Sequence, residues 1–550
     1  MVKNKKIVFL FILNFIFSVS PCFGQKERKN WYFGTGTDGI IFDNKNNPIK
    51  VSNKYAGVGY EGMVVVSDPV TGDLKFYSDG INVIDKNHNM MTNGTGLSGN
   101  FSGAQDVQCC PLPGSCAKKY YLFTNSAYDL TPGDISYSIV DFTSNPLGVV
   151  TQKNTPLWSG PSDQGMCLVN KPNSNDYWII ASAFKLAVYN VFPVTAVGIG
   201  TPKSYTFSNN GSAYQINYSN AAKKIVVTGW LNLGVTVINF DAITGVLTNE
   251  VQLLPVPLGT GGARFSPDGT KLYVGVGPPI NNLEQYDFNT FTWTIMNGCC
   301  SAHDLSMGPD GKMYHIHTYN SNQPMSVIDF PNNSAVGNAC NFHSLTFSTD
   351  FDGEVRRFPE FVTLPPPPIA NWDTITTGAM LATNIFVMKN DSDLQGDPIM
   401  LDSIIYGPKN GTASIAGNYI SYISNASAGC GFTDTLIYRI KDINCAYDTA
   451  LVIIKSNALI SPLVNSNSPV CTGGVLNFTA SNFPGAIYQW TGPNGFKSFL
   501  QNPSISPFNP SNFGTYTLTV NSSGCLSIPV SINVTGGPLP KVNLGKDTVF

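Results

Sequence analysis

Over the first 360 residues, apolar positions fall in short runs that mostly alternate with polar ones. Turns rich in Gly, Pro, Asn and Asp break them, and helix-spaced apolar stripes are scarce. One unit recurs: an apolar strand, a polar turn, then a second strand with an aromatic or β-branched centre. "ARFSPDGTKLYVG" (from Ala263) and "LSMGPDGKMYHIH" (from Leu305) show it best. Weaker copies start at Val64, Val107, Cys167 and Ile216. Their equivalent second-strand residues are Phe76, Tyr121, Trp178, Val226, Tyr273 and Tyr314, spaced 45, 57, 48, 47 and 41 apart. A third strand follows each copy, as in "GINVID", "GVTVINFD" and "MSVIDF". A repeat of roughly 40–50 residues with about four strands is the signature of a β-propeller blade. The "P-D-G" turns supply the hairpins between first and second strands.

Six blades leave an exposed sheet edge at each end of the ring. "EVRRFPEFV" (Glu354 to Val362) reads as a first strand without a second. "NWYFG", "GIIFD" and "PIKVS", at the other end of the region, read as later strands without a first. The expectation is one composite seventh blade, with Arg357 to Val362 pairing with Trp31 to Phe33 in a single sheet.

"LPPPP" (Leu364 to Pro368) is a stiff linker. Residues 369–456 alternate in short strands, a β-sandwich pattern, and 457–536 form a second sandwich. In the second, Cys471, Trp490 and Cys525 have the Cys…Trp…Cys order of an immunoglobulin-like core. Tyr516 is its candidate tyrosine corner, nine rather than two residues before the cysteine. Residues 537–550 begin a further module, so more C-terminal modules are expected. The fold class is therefore all-β: a seven-bladed propeller over 25–363 and two β-sandwiches.

Composition refines this reading. Only 12% of residues are charged and the net charge is −3, so no electrostatic footprint for nucleic acid exists. Residues 1–24 have a basic start (Lys3, Lys5, Lys6) and an apolar run from Ile7 to Val19, a secretory signal peptide too short to span a bilayer. No later segment is long and apolar enough for a transmembrane helix. Cys22 falls in the leader, leaving 11 of the 12 cysteines in an oxidising compartment, where disulfides are expected. The expected bridges are Cys471–Cys525, packed on Trp490; Cys430–Cys445; and Cys109 or Cys110 to Cys116 across the "PLPGS" hairpin.

Residues leading into the first strands converge at one mouth of a propeller channel. Alignment to "GGARFS" puts Glu61, Gln105, Asp106, Asp163, Gln164, Tyr214, His303, Asp304 and Glu354 there. They either hold a metal or polar ligand or line a wet channel. His315 and His317 share a strand face and could share a metal, although no third ligand stands out; otherwise they are ordinary strand positions. Asp391, Asp393 and Asp397, in "NDSDLQGD", form either a calcium loop or a plain acidic turn. Calcium is the one cofactor the residues suggest. The G-x-S-x-G elbow, H-E-x-x-H and P-loop motifs are absent.

"NWYFGTGTDGIIFD", "LKFYSDGINVIDKNHNMMTNGTGLSG" and "RRFPEFV" resemble a WD40-like propeller of secreted, gliding-motility-associated surface proteins of Bacteroidota. Ile84-Asp85 stands where that family has Trp-Asn. "NDSDLQGDPI…TDTLIYRIKD" resembles a cadherin-like sandwich, and 457–536 is similar to bacterial Ig-like and PKD-like domains. The resemblance implies type IX export, residence at the cell surface and adhesion or a gliding role, with an extracellular glycan or protein as partner. "SPDGTKLYV" also resembles a lactonase-type repeat. The alternative function is therefore a lactonase- or lyase-like enzyme acting at the channel.

Overall fold

A computed structural model describes residues 26–537, apart from 70, 129–130, 209–210, 230–233, 255–258, 278–281, 297–302, 317–324, 348–349, 363–366, 379–381, 394–395, 426–430, 458–461 and 523–524. The leader, Cys299, Cys300, His317, Cys430 and the tail after 537 lie outside the described residues. The chain divides into two compact units. One is Met1–Pro366 with Ile443–Cys445; the other is Pro367–Asp442 with Ala446–Phe550.

The first unit is a ring of antiparallel sheets, and each of the six second-strand residues picked from sequence lies on the second strand of its sheet. The simplest blades run Gln215–Ser219, Lys224–Thr228, Val235–Asp241, Val246–Leu254, then Thr260–Phe265 to Thr292–Ile295, then Asp304–Met307 to Phe342–Leu345. Before them come Val64–Ser67 to Met90–Thr95, and two blades joined by one long strand, Val149–Asn170. That strand pairs with Gly133–Asp141 on one side and Tyr177–Ala183 on the other. It therefore serves as the last strand of one blade and the first of the next. First strands of successive blades lie against one another around the ring.

Position within the blade explains composition. Second strands, covered on both faces, are apolar over most of their length, as in the buried Lys271–Val276, where the leading lysine is the one charged residue. The outer strand Val246–Leu254 mixes apolar with polar residues and buries only Leu247. The tight turns follow the same economy. Gly269, in "SPDG", has φ +72°, and a Cβ there would strike the Ala222 backbone nitrogen of the preceding blade.

Ring closure differs from the expected pairing. Asn30–Tyr32 pairs only with Asp38–Phe42, not with Arg357 to Val362. The closing segment instead places Glu360–Phe361 parallel to Val64–Ser67 of the next blade, with Glu360 opposite Val64 and Phe361 opposite Val65. Pro359 accounts for this: it has no N–H to donate, so a ladder cannot continue through it. Just beyond it, Glu360 N–H donates to the Met63 carbonyl (2.8 Å).

What joins the two ends is side-chain packing, one carboxylate pair and the Thr35–Glu354 contact, where the Thr35 N–H donates to the Glu354 carbonyl (3.1 Å) and the Glu354 N–H to the Thr35 hydroxyl (3.2 Å). Trp31 is fully buried, with ring centroids 5.2 Å from Phe42, 5.1 Å from Tyr314 and 4.9 Å from Phe358. Asp352 accepts hydrogen bonds from the Thr37 backbone (2.7 Å), the Thr37 hydroxyl (2.6 Å) and the Asp38 backbone (3.0 Å). Its own N–H donates to Asp38 (2.7 Å), which also holds Lys50 at 2.6 Å. Partial burial pushes the Asp352 carboxyl upward, but the Thr37 and Asp38 donors outweigh it and bring it down to about 2.

The second unit contains two sandwiches. The first stacks the sheet of Asp373–Gly378, Tyr447–Asn457, Thr433–Lys441 and Met400–Tyr406 against Thr383–Ile385, Tyr419–Ser424 and Gly411–Ala416, with Tyr422, Tyr438 and Ile440 in its core. The second is centred on Trp490, Tyr516 and Phe478, all within 1% of full burial. The Tyr516 hydroxyl donates to the Asn512 carbonyl (2.9 Å), which is the bond of a tyrosine corner despite the unusual spacing to Cys525.

The cysteines pair differently from expectation. Cys116 is bonded to Cys445, 329 residues away, so neither Cys430–Cys445 nor a bridge from Cys116 to Cys109 or Cys110 forms. Cys109 and Cys110 lie opposite Leu122 and Tyr121 on Val107–Pro111 and are buried thiols in two inter-blade cores. Alternating strand geometry sends them to the two faces of the blade, away from the hairpin that carries Cys116. For Cys471–Cys525, the Cys525 side chain lies outside the described residues.

Two outcomes are expected. Trp31→Ala should cost about 3–5 kcal/mol of propeller stability in urea titration. Ile243→Ala, at a position 61% exposed, should stay within about 0.5 kcal/mol. Non-reducing peptide mapping should recover a Cys116–Cys445 cross-linked pair; a Cys109–Cys116 or Cys110–Cys116 peptide would contradict the structure.

Candidate functional site at the channel mouth

The mouth residues do converge, and most spend their polar atoms tying blade to blade. Gln164 Oε1 accepts from the Ala104 N–H (2.8 Å), and Asp163 Oδ2 from the Ala213 N–H (2.7 Å). Gln105 receives the Ile216 N–H (2.7 Å) and donates to the Ile216 carbonyl (3.0 Å) and Glu360 (3.3 Å). Asp304 accepts from Gln215 (3.1 Å) and from the Phe358 N–H (2.9 Å). His303 works through its backbone, donating to the Ile316 carbonyl and accepting from Gly262 N–H. Each such bond satisfies a strand-end group that the ladder leaves open.

Two arginines of the closing segment complete the belt. Arg357 is buried, 3.7 Å from Asp304, with its guanidinium 4.1 Å above the Tyr214 ring. Burial pushes its pKa down, but the Tyr214, Asp304 and Glu61 side chains more than reverse that, so it stays charged. Arg356 meets Glu61 at 3.2 Å and Glu354 at 3.0 Å, and lies 4.2 Å above the Tyr60 ring. The other side of this cluster is Phe101, 58% exposed and edge-on to Tyr60 at 5.9 Å. Sequence reasoning missed Tyr60, Phe101, Arg356 and Arg357. A signal was present: adjacent arginines are conspicuous in a chain with only 32 Lys and Arg.

Two mouth carboxyls are electrostatically unusual. Burial pushes Asp163 up to about 7, against the opposing pull of the Ala213, Gln164 and Lys185 backbone donors. Asp106 is fully buried, and neither of its oxygens accepts a hydrogen bond of good geometry. It sits in a cradle of glycines: a Cβ at Gly62 or Gly80 would overlap its carboxylate. Burial, then the charges of Asp79 and Glu61, push its pKa well above the usual carboxylate range.

Among the described residues, one group of three His, Cys, Asp or Glu side chains has ligand atoms within 4.8 Å of one another, and it lies in the first sandwich: Asp393, Asp397 and Asp442. Oxygen-only donors of this kind suit calcium. Asp391, expected in that set, instead accepts from the Tyr438 hydroxyl (3.0 Å) and the Asn371 N–H (2.7 Å). Asp442 arrives from the end of Thr433–Lys441, a juxtaposition that only the sandwich creates. His315 is fully buried on a second strand beside Phe342.

Residues 365–455 match the bacterial Ig domain family. The module that resembles a cadherin-like repeat in sequence is thus similar to a bacterial Ig domain. No curated protein matches the chain. Solved structures similar to it include a candidate 6-phosphogluconolactonase from Bacteroides fragilis (13% identity, 62% of this chain and 100% of that one, TM-score 0.42). A second, from Bacteroides uniformis, has 13% identity over 60% and 98%, TM-score 0.40. A Lactobacillus plantarum protein has 12% identity over 60% and 98%, TM-score 0.39. With scores this low, the propeller assignment rests on the strand pairing described above.

The Asp106 environment has a pH consequence. Its folded-state pKa is raised, so the native state holds a proton that the unfolded chain releases above about pH 4. Stability from this group is complete below that pH and falls as pH rises toward the folded value. Asp106→Asn removes the dependence. Relative to wild type, the variant should gain about 1.4 kcal/mol per pH unit over that window, read from urea titrations at pH 4.5, 6 and 8. A gap that does not change with pH would contradict the assignment.

Proposed function

We propose that this chain is an exported surface protein whose propeller presents a rigid binding face, with the sandwiches as spacers. The observation that carries the reading is the belt of side-chain-to-backbone bonds at the mouth. Gln105, Gln164, Asp163 and Asp304 are engaged in fixing strand ends, and Arg357 pairs with Asp304. A face stiffened in this way loses little conformational entropy when it binds. The secretory leader, the resemblance to gliding-associated Bacteroidota proteins and the bacterial Ig match at 365–455 support a place outside the cell. Adhesion, cell-surface attachment and type IX export are the specific form this takes.

The test is a screen of the immobilised full chain against extracellular glycans and matrix proteins, with calcium and with chelator. At least one ligand should be retained, and cross-linking should map it to residues 53–62, 97–106 or 354–358. Calcium dependence would point to Asp393, Asp397 and Asp442. Retention of nothing, or turnover of a lactone by the same preparation, would overturn the reading.

A further inference from the structure

We infer that Phe101, Tyr60, Arg356 and Glu354 form a carbohydrate subsite that takes a neutral sugar ring. The inference rests on the binding reading above and adds the ligand class and the residues. Phe101 comes from the loop before Val107–Pro111, Tyr60 from the loop before Val64–Ser67, and Arg356 and Glu354 from the closing segment. Three chain segments remote in sequence thus build one patch.

The first argument is the exposed ring. Phe101 leaves more than half its surface in water while its ring packs at a T-shaped angle against Tyr60. An aromatic face held this way offers apolar area without further side-chain ordering. The C–H face of a pyranose is the apolar surface of an otherwise polar molecule, and it matches a single flat ring better than an extended apolar partner would. The second argument is the polar edge. Arg356 is stacked on Tyr60 at 4.2 Å and held by Glu61 and Glu354, so its position is set before any ligand arrives. Glu354 keeps 49% of its side chain exposed. Its carboxylate can accept hydroxyl hydrogens from a sugar seated on Phe101, a charge-assisted bond that a neutral polyol supplies readily.

The third argument is charge. Glu61 and Glu354 meet Arg356, and the charge of Arg357 also bears on Glu61. The cluster is therefore close to charge-balanced and gives uronates, sulfated glycans and phosphates no net attraction to offset their desolvation. A cationic peptide would have to displace Arg356 from carboxylates that already pair with it. A neutral sugar pays neither penalty.

The test uses the full chain and titrates cello-, manno-, xylo- and galacto-oligosaccharides by calorimetry, with heparin, alginate and an Arg-rich peptide as charged comparators. Binding of at least one neutral oligosaccharide in the micromolar-to-millimolar range is expected. Phe101→Ala should weaken it about tenfold, the value of one aromatic contact, and Phe101→Trp should retain it. Glu354→Gln should weaken it a few-fold. Both positions are exposed, so thermal melting should be unchanged, and a variant that melts early is replaced by Phe101→Ser. Preference for a charged comparator, neutral-sugar binding indifferent to Phe101→Ala, or no neutral-sugar binding at all would each overturn the inference. If the surface screen still retains a protein ligand, the broader binding reading survives alone; if both assays are blank, both fall.

Discussion

The propeller depends on burying Trp31. Every other blade is covalently continuous with its neighbours through short loops, but the junction between residues near 31 and those near 355 has only non-covalent contacts to hold it. Phe42, Tyr314 and Phe358 surround the indole, and the Asp38–Asp352 pair fixes the backbone beside it. The apolar faces of the first and last blades stay covered only while that junction holds. The backbone ladder contributes little here, because Pro359 breaks the strand that would have supplied it.

The same closing segment builds the mouth. Arg356 and Arg357 are adjacent, and in an extended backbone adjacent side chains point to opposite sides. One therefore reaches Glu61 and Tyr60 while the other reaches Asp304 and Tyr214. Ring closure and site assembly are thus one event, and a chain that fails to close also lacks the Arg356 cluster.

The blade repeat was legible because it repeats. Tyr273 and Tyr314 announce equivalent strands through the turn chemistry before them, and six copies make a period. The Trp490 core and the Tyr516 corner were legible for a related reason: a large buried ring demands a fixed setting. Pairings without a repeat were not legible. The parallel match of Glu360 with Val64 joins residues that no local signal connects, and Asp442 meets Asp393 and Asp397 only after four intervening strands have formed the sandwich. Cys109 and Cys110 misled because a nearby Cys116 suggested a hairpin bridge, whereas strand alternation had already committed both thiols to blade cores. At the mouth, Asp163 and Asp304 accept from backbone groups of neighbouring segments, partners that sequence does not display.

The Cys116–Cys445 bond has a mechanical consequence. It closes a covalent loop containing everything from residue 117 to residue 444, including the closing segment with Trp31's partner Phe358. Tension that enters the chain beyond residue 445 passes through two sulfur atoms to residue 116 and bypasses that loop. The shortest covalent path between residues 116 and 445 therefore does not run through Phe358 or the rest of the closing segment. A bond that stores no binding information thus decides which stretch of backbone feels a pull on the chain.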